Sequence, residues 1–146
     1  MEIRRFKPKD KKVVSELYYE LHPIEEKEGK EKGLVIPLQS SKIKNILFVA
    51  EDNRKIIGFI LSNLISYGDF KYGSIDEFFV KKTFRGKGIG TSLLKKAIKE
   101  LEKLNPKLIL VGTEKANKEA IKMYQKVGFK VGKESLWFYW HPKKKC

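Results

Sequence analysis

Hydrophobic and polar positions alternate, cluster and change period along the chain in a way that divides it into short elements. Ile3 and Phe6 lie among charged residues at the start, and the period-two pattern predicts an edge strand over Glu2–Phe6 that stops before Pro8. Val13, Val14, Leu17, Tyr18 and Leu21 then recur at helical spacing, so a helix capped by Asp10 is expected to run until His22-Pro23. The stretch after it mixes charge, glycine and proline around an apolar island at Leu34–Leu38, and reads as a long loop. Two β-rich runs, Asn45–Glu51 and Lys55–Ser66, flank Asp52-Asn53-Arg54 and predict a hairpin. Tyr67-Gly68-Asp69 is a second turn, leading to a third strand over Tyr72–Val80.

The period then shifts from two to 3.6. Ile89, Leu93, Leu94, Ala97, Ile98, Leu101 and Leu104 form one apolar stripe opposite lysines and glutamates, ended by Asn105-Pro106. Leu108–Val111 is an unbroken apolar run, the pattern of a central strand covered on both faces. A second helix follows, with Asn117 as cap, Ala120, Ile121 and Tyr124 as apolar face and Gly128 at its end. Two further strands are expected over Phe129–Lys133 and the aromatic Leu136–His141, separated by Glu134-Ser135. The order β-α-loop-β-β-β-α-β-α-β-β is a mixed α/β layout, a central mixed sheet flanked by helices.

Length and composition narrow the function. A chain of 146 residues suits one domain spanning 1–146, and with 41% hydrophobic and 34% charged residues it can bury a core beneath a charged surface. No apolar run is long enough to cross a bilayer, the opening residues lack a secretory core, and Cys146 is the single cysteine. A reducing, cytoplasmic location with no membrane partner is the expectation, and no cluster suggests a metal site. The net charge of +14 favours phosphate-bearing partners. Nucleic acid is the weaker version of that idea, because only Arg4, Arg5, Arg54 and Arg85 among the basic residues are arginine.

Chemistry concentrates in Phe84-Arg85-Gly86-Lys87-Gly88-Ile89-Gly90-Thr91, between the third meander strand and the long helix. A glycine turn at a helix start can aim backbone N–H groups at a phosphate or pyrophosphate. The dinucleotide fingerprint fails because Thr91 stands where its third glycine belongs, and the Walker pattern fails because Lys87 is followed by glycine.

The run IDEFFVKKTFRGKGIGTSLLKKAIKEL resembles the core motif of the GNAT superfamily of acetyl-CoA-dependent N-acetyltransferases, whose pyrophosphate loop reads (Arg/Gln)-x-x-Gly-x-(Gly/Ala). Arg85, Gly88 and Gly90 fill those places. Asn117 to Phe129 is similar to the family's second signature, N-x-x-A-x-x-x-Y-x-K-x-G-F. The resemblance implies the GNAT fold and acetyl transfer from acetyl-CoA to an amine, a small molecule or a peptide N-terminus, by direct attack in a ternary complex. It implies cofactor contacts from Phe78, Phe79, Val80, Arg85, Gly86, Lys87, Gly88, Ile89, Gly90, Thr91, Asn117 and Tyr124. The backbone of Phe79 and Val80 would pair with the pantetheine arm where their strand splays from Leu108–Val111.

Tyr124 is the implied acid for the leaving thiolate, and Asp76 or Glu77 the base. Neighbours on a strand face opposite ways, so at most one of the two acids points at the acceptor unless a bulge intervenes. The segment Asp76-Glu77-Phe78-Phe79-Val80 is also similar to the Glu-Asp-Phe-Phe-Val run of diamine acetyltransferases, with the acids exchanged. Glu25, Glu26, Glu28 and Glu31 lie in the loop that borders the acceptor cleft in that family, and read here as a solvated loop. His22 and His141 each adjoin a proline and read as structural. The alternatives are a basic nucleic-acid-binding module, or a CoA-sensing module without catalysis, on the same fold. The aromatic last strand suits a homodimer.

Overall fold

A computed structural model describes residues 1–21, 43–67, 70–132, 138 and 140–142. They fall into two compact units, Met1–Glu114 and Lys115–Cys146.

The first unit holds strands β1 (Glu2–Arg5), β2 (Ile43–Asp52), β3 (Lys55–Tyr67), β4 (Phe70–Val80) and β5 (Ile109–Val111), with helices α1 (Lys11–Leu21) and α2 (Ile89–Glu102). The sheet order is β1-β2-β3-β4-β5, antiparallel up to β4 and parallel between β4 and β5. The β2–β3 hairpin turns through Asn53 and Arg54, both at positive φ (47° and 62°), as a two-residue turn matching strand twist requires.

Register sorts the core onto two faces. Val49, Phe59 and Phe79 pair across β2, β3 and β4 and pack with Val14 and Leu17 of α1. The alternate residues face α2, whose Leu93, Leu94, Ala97 and Leu101 are fully buried. Phe48 is on this side, beneath the ammonium of Lys96 and the guanidinium of Arg5 at 5.7 and 5.5 Å. Each fully buried Leu, Ile or Phe is worth about 1.5–3 kcal/mol, so these two faces hold the sheet between its helices.

Asp10 differs from its expected role as a helix cap. It ends a 3-10 turn over Pro8–Asp10, is 3% exposed, and takes a two-pronged bond from Arg4 (2.8 and 2.9 Å) and the Lys7 amide (2.7 Å). Arg4 Nε also bonds Glu51 at 2.8 Å, tying β1, β2 and the start of α1 together. The guanidinium beside it holds the Asp10 carboxyl below the usual range, and the two carboxylates raise the Arg4 value.

Two strand expectations are corrected. Leu108–Val111 is less covered than a central strand would be. β5 is three residues long and, among the described residues, last in the sheet, with Leu108 and Leu110 42% and 53% exposed. An apolar run encodes burial tendency but not which neighbours arrive to bury it.

The strand expected at Phe129–Lys133 is absent over its described residues, and no strand forms at Phe138 or Trp140–His141 within the expected Leu136–His141. The Phe129 amide donates to Tyr124 O at 2.9 Å, closing a helix end instead of entering a ladder. The Glu134-Ser135 turn, the Tyr67-Gly68-Asp69 turn's last two residues, His22 and the glutamate-rich loop lie outside the described residues.

Within the second unit, α3 (Lys118–Val127) begins as expected, with the Asn117 side chain accepting from the Ala120 amide at 3.2 Å. Gly128 ends it at φ 122°. No described helix is long and apolar enough to cross a membrane.

Candidate active site

β4 carries one residue more than β3 can match. Leu61 faces Glu77 and Ser62 faces Ile75, which leaves Asp76 as the extra residue of a bulge. A bulge bends and twists its strand. The β4–β5 pairing runs through Gly73, Ser74 and Ile75 opposite Ile109, Leu110 and Val111, and stops there. β5 ends at Val111, opposite Ile75, so from Asp76 to Val80 the β4 edge on that side has no β5 partner.

The bulge also decides where the two acids point. Glu77 lies opposite Leu61, in the row next to the Phe59–Phe79 pair on the α1 face. Asp76 accepts from Asn63 Nδ2 and Ser74 Oγ, and those two residues are cross-strand partners two positions beyond Leu61 on the same face. Both carboxylates therefore face one way, an outcome that simple alternation forbids.

Backbone parity settles which groups this edge offers. The Lys81 amide bonds Ile57 O at 2.8 Å, so the hydrogen-bonded pairs of this antiparallel ladder are Lys81 with Ile57, Phe79 with Phe59 and Glu77 with Leu61. Phe79 has its N–H and C=O committed to β3, which corrects its expected backbone role. Phe78 and Val80 turn theirs to the edge that β5 has left. The Phe79 ring is instead buried, 6.5 Å from Phe59 and beneath the Arg85 guanidinium at 5.2 Å. Arg85 also donates from Nε to Val80 O at 2.7 Å, fixing the end of β4 against the loop.

After Val80 comes a 3-10 turn over Lys82–Phe84, and then the glycine loop. Gly86 and Gly88 are at φ 78° and 79°, where a side chain is strained, and Gly88 is the residue before α2. Lys87 extends over the Phe84 ring at 5.4 Å. The Ser92 amide returns to Gly88 O at 3.0 Å, the first bond of the helix. Ile89, Gly90 and Thr91 thus present the orphan amides of the first turn, and no side chain caps them. The unbonded N–H groups of a first helical turn and the positive end of a helix dipole together favour an anion near the start of α2.

Within the second unit, Tyr124 stacks edge-on against Phe129 at 5.9 Å. Partial burial pushes its phenol above the ordinary value, so the hydroxyl keeps its proton throughout the neutral range.

The polar row at Asn45, Asn63 and Ser74 was not visible in the sequence reading. No single run marks them out, and only register puts them side by side.

The profile of the acetyltransferase (GNAT) family matches residues 14–129. An uncharacterised N-acetyltransferase of Methanocaldococcus jannaschii is 39% identical over 85 residues, 56% of this chain and 38% of that protein. Human N-alpha-acetyltransferase 30 is 32% identical over 95 residues, 64% of the chain and 26% of the relative. The chain thus spans well under half the length of these curated relatives. A putative acetyltransferase from Agrobacterium tumefaciens shares the fold with a TM-score of 0.77 at 19% identity, covering 96% of this chain and 100% of that one. The aminoglycoside N-acetyltransferase AAC(6')-Iy, solved in complex with CoA, does so with a TM-score of 0.75 at 16% identity, covering 96% and 99%.

Proposed function

The chain belongs to the GNAT acetyltransferase family, and on that premise we propose that it is an N-acetyltransferase, a single domain over 1–146 that carries the acetyl group of acetyl-CoA to a primary amine. The observation that carries the proposal is the β4 edge left without a β5 partner beyond Ile75, followed in the chain by the glycine loop and the start of α2, whose N-cap Gly88 makes no side-chain cap bond. The residues present fit the cosubstrate. Strand-edge groups of Phe78 and Val80 suit the amides of a pantetheine arm, and the amides of Ile89, Gly90 and Thr91 with Gly86 and Gly88 suit a diphosphate. Arg85 holds the end of β4 in place, and Lys87 adds positive charge beside the loop. Acetyl-CoA, when bound, supplies an activated thioester.

The chain's own groups then have distinct tasks. The Val80 amide is a donor for a developing oxyanion. Asp76 and Glu77, on one face, are the carboxylates available to orient the acceptor amine and take its proton, directly or through water. Tyr124, a phenol protonated at neutral pH, is the acid for the departing thiolate, and Asn117 is a cofactor contact carried over from the motif. With Cys146 the lone cysteine and no serine–histidine pair in either motif, direct attack needs no acyl-enzyme. The acceptor is a small amine or a peptide N-terminus, and the setting is cytoplasmic.

Thermal unfolding with and without acetyl-CoA tests the reading. At a hundred times the dissociation constant a ligand specific for the native state adds about 2.7 kcal/mol. No shift at millimolar acetyl-CoA refutes it. Steady thiol release with an amine then separates an enzyme from a CoA-binding module.

A further inference from the structure

One row of the sheet is polar on all three of its central strands. Asn45 on β2, Asn63 on β3 and Ser74 on β4 are register partners, and their side chains form a continuous chain of hydrogen bonds. Asn45 Nδ2 donates to Asn63 Oδ1, Asn63 Nδ2 donates to one Asp76 oxygen, and Ser74 Oγ donates to the other. The direction of the chain follows from chemistry. An ionised carboxylate only accepts, so it fixes which end of the Asn63 amide turns towards it, and the remaining oxygen is left for Asn45.

Asn63 retains only 8% of its surface, whereas the Asp76 it serves is exposed. A buried amide costs free energy unless fully bonded, and an apolar residue at this position would avoid that cost. The row is therefore poor value for folding alone. It does hold the carboxylate of the bulge residue in one orientation, with a donor on each oxygen, while the residue stays exposed. The bulge is also the point from which β4 has no β5 partner.

We propose that Asp76 is the anchor for the cationic head of the acceptor amine, and that Asn63, set by Asn45 and assisted by Ser74, is the positioning residue that aims it. This rests on the acetyl-transfer reading of the β4 edge beyond Ile75. It divides the labour of the two acids: Asp76 is the fixed electrostatic anchor, and proton removal passes to Glu77 or a water beside it. The acceptor class that follows is an amine arriving as its ammonium ion, as an aliphatic primary amine does at neutral pH.

The anchor can be tested without catalysis. In 15N-labelled protein saturated with CoA, titration with n-butylammonium chloride should shift the Asn63 side-chain amide resonances saturably, and Asp76→Asn should abolish the shift. A wild-type protein with no shift, or an Asp76→Asn protein that keeps it, overturns the proposal. For any amine that wild type acetylates, Asn63→Leu should raise KM about ten- to a hundredfold, the range for a lost hydrogen bond to a charged group, at unchanged CoA affinity. Asn63→Gln, which keeps an amide, should recover part of the loss. A fall in kcat with KM unchanged would overturn the positioning role. If wild type releases no thiol with any amine, the acetyl-transfer reading fails, while the resonance titration still decides whether Asp76 is a cation anchor.

Discussion

Gly88→Asp puts the reading of the glycine loop at risk. Gly88 sits at φ 79° immediately before α2, and no heavy atom lies within 4 Å of where its Cβ would be. Aspartate tolerates the left-handed region at a cost of about 1 kcal/mol, and a carboxylate at a helix N-terminus returns about 0.3–1 kcal/mol. Stability should therefore change by less than about 1 kcal/mol, a shift in Tm of about 2–4 °C at most for a chain of this size. Binding should respond very differently. A charge about 6 Å from a diphosphate charge costs roughly 3 kcal/mol at an effective dielectric near 20, and it also takes the amides that the ligand needs. A loss of CoA affinity of about a hundred- to several thousandfold is expected by calorimetry. Gly88→Ala separates charge from strain, since it carries only the conformational cost and should lose no more than about tenfold. If Gly88→Asp binds CoA as wild type does, or if Gly88→Ala is equally damaging, the loop is not an anion site and the reasoning from its amides is wrong.

Tyr124→Phe keeps the ring against Phe129 and removes the proton. Its kcat should fall about ten- to ten-thousandfold with acetyl-CoA affinity barely changed, and wild-type kcat from pH 7 to 9 under chemistry-limited conditions would remove the acid role. Gly58→Ala places a Cβ 2.8 Å from Phe79 O, so β4 must move near Val80. It should cost about 1–3 kcal/mol in denaturant melts and weaken CoA binding as well, and an unchanged midpoint would show that β4 yields freely there. Asp10→Asn weakens Arg4's pairing but leaves it bonded to Glu51, and should cost about 1–3 kcal/mol. Because the folded-state carboxyl is held low, its contribution is complete above the unfolded value of about 3.9 and disappears as pH falls through the lowered one. Wild type should therefore lose stability over that acid range more steeply than the variant, and parallel pH profiles would contradict the assignment.

The local features of this protein were legible from residue order. The hairpin at Asn53-Arg54, the stripe from Ile89 to Leu101, the Asn117 cap and the Gly128 stop all depend on interactions within a few residues, and the sequence contains both partners. The glycine turn was legible for the same reason, since positive φ at Gly86 and Gly88 is a property of those residues and their neighbours. Strand pairing was not. Whether Leu108–Val111 ends up central or last, and whether Phe129 enters a ladder or closes a helix, depends on hydrogen-bond partners far away in the chain, which hydropathy does not specify. The arrangement of the two acids depends on such pairing most of all. One unmatched residue on β4, Asp76, opposite the step from Leu61 to Ser62, brings Asp76 and Glu77 to a common face and aligns Asn63 with Asp76. A side chain's face is set by counting residues against a partner strand, and that count exists only once the strands have met.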